Sequence, residues 1–136
     1  MTIGIHICRS QDPSWQAETG YDPIAEPLFN AMQVGNYFLE YDNARAGTFA
    51  PLQSVPEGKF VVLGLLASKV AELESVDLLE QRIEEASRYI KLEQLALSPQ
   101  CGFATSADAH VTVTEEVERT KLARVVEVAR QVWGSA

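Results

Sequence analysis

The stretch "TIGIHICRS", residues 2–10, decides how this chain is read. It is a short apolar run ending in His-Ile-Cys-Arg, the pattern of a strand feeding a parallel sheet. In a doubly wound open sheet the first strand runs into a Gly-rich phosphate loop. Here a histidine and a cysteine stand where that loop belongs. Side chains two apart on a strand project from the same face, so His6 and Cys8 point the same way.

Three further runs resemble the first: "YFLEYD" (37–42), "KFVVLGLL" (59–66) and "EQLALS" (93–98). Helical patterns fill the intervals. "DPIAEPLFNAM" (22–32) offers Asp22 as N-cap and Pro23 at the first helical position, with Pro27 limiting its regularity. "SVDLLEQRIEEASRYI" (75–90) aligns Val76, Leu79, Ile83, Ala86 and Ile90 on one stripe behind a Ser75 or Asp77 cap. "TEEVERTKLARVVEVARQVWG" (114–134) begins at a Thr114 cap and stops at Gly134, with Val117, Leu122, Val125, Val128, Ala129 and Val132 as its apolar stripe. Only "APLQSV" (50–55) offers a short turn between the second and third strands. The order βαβ(α)βαβα is an α/β fold with right-handed crossovers. A closed barrel of eight βα units takes about 250 residues. Four units in 136 residues predict half a (β/α)8 barrel, a single domain over 1–136, with a small doubly wound sheet as the alternative.

Composition narrows the function. Eleven Lys and Arg against nineteen Asp and Glu give a net charge of −8, which argues against nucleic acid as partner. No apolar run approaches the roughly 18 residues of a membrane span, and no signal peptide is apparent, so the expected location is the cytoplasm. In that compartment two cysteines more often serve a metal or catalysis than a structural disulfide.

The metal-capable residues gather at strand ends. His6 and Cys8 close the first strand, Glu40 lies near the end of the second, and Cys101 follows the fourth by three residues. In parallel α/β folds those ends share one face, where active sites form. Imidazole, thiolate and carboxylate are zinc ligands, and the thiolates disfavour magnesium or calcium. The plainer alternatives are a rim histidine beside small buried thiols, or a metal-free Cys8–Cys101 redox pair. Strand alternation leaves Glu40 and Asp42 equivalent, since both face the same way. His110 sits in a polar loop and reads as solvent-exposed.

Taken together, "HICR" (6–9), "LEYD" (39–42), "RAG" (45–47), "LGLLASK" (63–69), "LSPQCGFAT" (97–105) and "VARQVWG" (128–134) resemble the C-terminal part of cobalamin-independent methionine synthase, closest to the single-barrel methionine synthase II group. The resemblance implies a catalytic zinc held by His6, Cys8, Glu40 and Cys101, and it favours Glu40 over Asp42. It further implies that a homocysteine thiol is held as thiolate and attacks the methyl group of a methyltetrahydrofolate, giving methionine; related barrels use other thiols, such as coenzyme M. Arg9 and Ser68 lie near the rim as candidate substrate contacts. Ser10 departs from the glycine that relatives often carry after the arginine.

Relatives carry the other half of the barrel on the same chain. An isolated half leaves strand edges and an apolar face uncovered. The expectation is therefore a self-associating chain, or one that pairs with a complementary half-barrel. The alternative is a non-catalytic zinc-binding or assembly module derived from the same family.

Overall fold

Four strands, β1 (Gly4–Ile7), β2 (Asn36–Glu40), β3 (Phe60–Leu66) and β4 (Leu95–Pro99), lie side by side in chain order. Every neighbouring pair is parallel. The computed structural model describes residues 1–9, 19–103 and 113–135. Ser10 and His110 lie outside the described residues.

Sequential order with parallel pairing is the topology of consecutive βα units in a barrel wall. The register sets the two faces. Ile7, Leu39, Leu63 and Leu97 form one row across the sheet, and His6, Phe38, Val62 and Ala96 form the next. Because successive side chains alternate, the first row faces the connecting segments and the second faces away from them. Tyr37, Leu39, Val61 and Leu63 are accordingly buried, whereas Phe38 and Phe60 on the other face remain 38% and 46% exposed. The sheet is thus covered on its outer side and open on the inner side, as a section of barrel would be.

Two long helices cover part of the outer face. Helix α1 (Val76–Ser87) is capped by Ser75, whose side chain accepts the Leu78 N–H, so Ser75 and not Asp77 starts it. Leu79, Ile83 and Ala86 are buried as their spacing requires, and Ile90 beyond the helix end joins them. Helix α2 (Glu115–Trp133) starts at Thr114 and ends at Gly134, whose φ of 75° is the left-handed conformation that glycine adopts without a Cβ penalty.

Two expectations fail in instructive ways. Leu122 is 44% exposed and does not belong to the buried stripe of α2; Lys121 beside it is fully buried. One residue of helix is a turn of about 100°, and Lys121 takes the inward position because Glu74 waits there, 2.9 Å from its Nζ. The second is the segment after Asp22. It is not one regular helix capped by Asp22: a short 3-10 turn (Asp22–Ile24) follows Tyr21, and a π-type turn (Pro27–Ala31) follows that. Pro27 has no N–H to continue an α-helical ladder. Lys59 takes up the open end of the irregular segment, donating to the carbonyls of Phe29 and Met32. The short turn anticipated before β3 is present as Ala50–Ser54.

Candidate metal centre

His6 and Glu40 come from the ends of β1 and β2, Cys8 from the residue just past β1, and Cys101 from the second residue after β4. All four reach the same carboxyl rim. One ligand atom from each lies within 4.8 Å of the other three. Individual separations are 3.7 Å from Cys101 Sγ to Cys8 Sγ, 3.2 Å from Cys101 Sγ to His6 Nε2, and 3.8 Å from His6 Nε2 to Glu40 Oε1. A tetrahedron with zinc-like bond lengths has edges of about 3.4–3.8 Å. The donor set therefore fits a zinc ion in kind and number, with the thiol–thiol and imidazole–carboxylate separations at tetrahedral spacing and the contacts of Cys101 with His6 and Glu40 shorter. The two sulfurs are free thiols.

Glu40 is the most constrained member. Its residue is 1% exposed, and its atoms are held from three directions. The Arg9 backbone N–H donates to Oε2 at 2.8 Å. The Tyr21 hydroxyl accepts the Glu40 N–H at 2.9 Å and donates to the Glu40 carbonyl at 3.2 Å. With Oε2 occupied, Oε1 is left to face the other donors, and Cys101 Sγ stands 2.6 Å from it. Such outer contacts orient a ligand and fix which atom it presents.

Burial, then the Glu40 carboxylate, then Cys8 push the Cys101 thiol well above its ordinary range. A divalent cation among the donors inverts that order, because its charge stabilises thiolate.

Asp42, equivalent to Glu40 by alternation, is not part of the cluster. β2 ends at Glu40, and both Asp42 carboxylate oxygens accept from Asn43 at 3.1 Å. Burial raises its pKa, the adjacent Glu40 charge adding to it. Arg9 is buried: its Nη2 donates to the Arg45 carbonyl at 2.6 Å and its guanidinium lies over the Tyr21 ring. Ser68 is fully buried, with its N–H donating to Gln100 Oε1 at 3.1 Å. Arg9 and Ser68 are thus both buried, with their described polar contacts made to the protein itself. Sequence reasoning passed over Tyr21 and Gln100. Nothing local marks Tyr21, while the position of Gln100 directly before Cys101 was a usable signal.

Beside the donors, His6, Phe38, Leu39, Pro99, Gln100 and Cys101 line a shallow hollow of about 230 Å³ on the inner face. Two of the four donors, His6 and Cys101, are on its wall.

A parallel β/α sheet with imidazole, carboxylate and two thiols converging on its carboxyl rim defines a barrel-type protein with a candidate thiolate metal centre. The chain belongs to the cobalamin-independent synthase catalytic-domain family, whose model matches residues 2–131. It is 49% identical over 135 residues to the uncharacterized protein YxjG of Bacillus subtilis (strain 168), covering 98% of this chain and 35% of that protein. YxjH of the same strain is 44% identical over 135 residues, with 98% and 36% covered. Among solved structures, a Listeria monocytogenes protein assigned as a vitamin-B12-independent methionine synthase superposes with a TM-score of 0.71 at 37% identity, over 99% of this chain and 36% of that one. The B12-independent methionine synthase of Shewanella sp. W3-18-1, solved with selenomethionine, gives a TM-score of 0.77 over 98% of this chain and 39% of that one; at 17% identity it speaks for the fold alone. The chain spans about a third of the length of the relatives it matches.

Proposed function

We propose that this chain carries the zinc centre of a thiol S-methyltransferase of the cobalamin-independent methionine synthase type, transferring a methyl group from 5-methyltetrahydrofolate to homocysteine. The single observation supporting this most is the convergence of His6, Cys8, Glu40 and Cys101 on one rim within 4.8 Å. These four residues are the proposed ligands. Zinc bound there supplies Lewis acidity that keeps a substrate thiol deprotonated near neutral pH.

The chain's own residues do the rest. His6 and Cys8 present two donors from one strand face, and the Arg9 N–H with the Tyr21 hydroxyl holds Glu40 so that Oε1 faces inward. Phe38 and the 99–102 loop form the wall against which the thiol lies. In the reaction the homocysteine sulfur forms its bond to the methyl carbon as the carbon–N5 bond of the folate breaks. The electron pair goes to N5, and the proton given up by the thiol is taken up by the folate product. For Arg9 we propose support of Glu40 and for Ser68 support of the 99–102 loop, which places both one step away from substrate.

A complementary set of βα units completes the barrel in this reading, whether from a second copy or from a separate half. It would cover Phe38 and Phe60 on the inner face. We further place the reaction in the cytoplasm, where free thiols persist.

The test is metal content of protein purified without added metal, on the unaltered chain and on Cys101→Ser, joined to an assay for methionine formed from homocysteine and 5-methyltetrahydrofolate. About one zinc per chain, lost in the variant, together with methionine formation once the complementary units are supplied, is the expected result. Zinc bound without turnover in that reconstituted system would make the chain a metal-binding assembly module. Absence of zinc with both thiols free would overturn the proposal.

A further inference from the structure

Cys101 follows β4, yet its sulfur lies beside Glu40 on β2. Adjacent strands are about 4.8 Å apart, so β3 stands between them. The chain after β4 must therefore fold back across the inner face of β3, and that crossing has a specific place. Gly64 pairs with Glu40 on one side and Ser98 on the other, on the inward-facing row of β3. A Cβ at Gly64 would lie 2.7 Å from the Gln100 Cα and 2.9 Å from the Leu39 carbonyl oxygen. Both obstacles are backbone atoms, which no side-chain rotation removes. Conformation does not demand glycine here, since Gly64 is not among the positive-φ residues. Space alone demands it.

Two further features secure the crossing. The β3–β4 register slips between Gly64 and Leu66, a bulge that re-aims the end of the strand pair. Gln100, 3% exposed, is then fastened at both ends: its N–H donates to the Leu66 carbonyl at 2.8 Å, and its Oε1 accepts the Ser68 N–H at 3.1 Å.

We propose that Gly64 is a positioning residue for the metal centre: the missing side chain lets the Gln100 backbone cross β3, and the Gln100 amide locks that crossing, so that Cys101 arrives as the second thiolate. The proposal rests on the zinc reading above.

The test is titration of the purified chain with cobalt(II) chloride, followed through the thiolate-to-cobalt charge-transfer absorption, with zinc affinity measured by chelator competition. The unaltered chain should show the intensity of two thiolates. Gly64→Ala should lose about half of that intensity, with only Cys8 still bound, and about 10–100-fold in zinc affinity, while its far-ultraviolet circular dichroism is unchanged. A Cβ at Gly35, at the opposite end of β2, meets only the Ile3 carbonyl oxygen, at 3.7 Å, among the described residues, so Gly35→Ala should keep both thiolates. Should Gly64→Ala fail to fold, Gln100→Ala decides: it should lose thiolate intensity, and Gln100→Glu, which retains an acceptor for the Ser68 N–H, should recover it. Full two-thiolate intensity in folded Gly64→Ala, or in Gln100→Ala when that variant decides, overturns the positioning role while leaving the metal centre standing. An unaltered chain with no thiolate absorption removes the metal centre and this role together.

Discussion

The Glu40 Oε1 atom stands 2.6 Å from the Cys101 Sγ atom, although 61 residues of chain separate them. Two residues so distant are brought together only by correct pairing of β2, β3 and β4. Metal affinity therefore reports on the tertiary fold as directly as it reports on the ligands. A metal that binds the folded state alone adds stability by mass action, about 2.7 kcal/mol at one hundred times its Kd. Zinc should raise the thermal midpoint of the unaltered chain, and a chelator should reverse the rise. Cys101→Ser should show little of either, as differential scanning fluorimetry would reveal; an equal rise in the variant would place the bound zinc elsewhere.

Tyr21 holds Glu40 through two backbone hydrogen bonds in a buried setting. Tyr21→Phe leaves the Glu40 N–H without its acceptor, at a cost of about 1–3 kcal/mol. The variant should unfold at lower urea and bind zinc more weakly. Loss of stability with unchanged zinc affinity would show that Glu40 keeps its place without this support.

Tyr41 behaves differently. Its ring packs between Tyr21 and Phe49, and its buried hydroxyl has no partner among the described residues. Burial, before any nearby charge, raises the pKa of Tyr41, and burial is also the leading cause for Tyr21. A raised folded-state pKa means the stabilising contribution is complete below the unfolded value near 10 and is lost as pH rises above it. The slope is about 1.4 kcal/mol per pH unit for each such tyrosine. Tyr41→Phe should cost little at neutral pH and flatten the alkaline decline between about pH 10 and 12, as urea titrations across that range would show. An unchanged decline would mean that Tyr41 is not among the groups responsible.

Lys121 and Leu122 invert the usual ranking of helix residues. Lys121 is fully buried and paired with Glu74, which also accepts the Ala67 N–H. Lys121→Ala leaves that carboxylate without its cation, at a cost of about 3–5 kcal/mol. Leu122→Ala on the exposed side should stay within about 0.5 kcal/mol. Urea midpoints of the two variants decide the matter, and a larger loss for Leu122 would restore it to the core.

Much of this was readable from the residues because it is local. The His6–Cys8 spacing needs only the two-residue period of a strand, and the Thr114 and Gly134 helix boundaries need only capping chemistry, which left Ser75 and Asp77 open as the cap of α1. Glu40 and Asp42 were indistinguishable by the same period, and the family resemblance favoured Glu40. What separates them in space is where β2 stops pairing and how Asn43 takes up Asp42. Leu122 was misplaced because the inward position goes to Lys121, whose partner Glu74 lies 47 residues away, outside any helical window. The turns after Asp22 escaped because Pro27 forbids the regular pattern without specifying what replaces it.

The sequence by itself determined the strand-and-helix order, the parallel character of the sheet and the two donors that β1 carries, since each follows from side-chain periodicity and backbone chemistry over a few residues. Only the tertiary structure decided that Cys101 meets Glu40, that Arg9 holds that carboxylate while Tyr21 holds the Glu40 backbone, and that Gly64 leaves room for the crossing. Those are contacts through space between distant segments. They depend on register and close packing, in which a single Cβ at Gly64 would fall 2.7 Å from another segment's backbone.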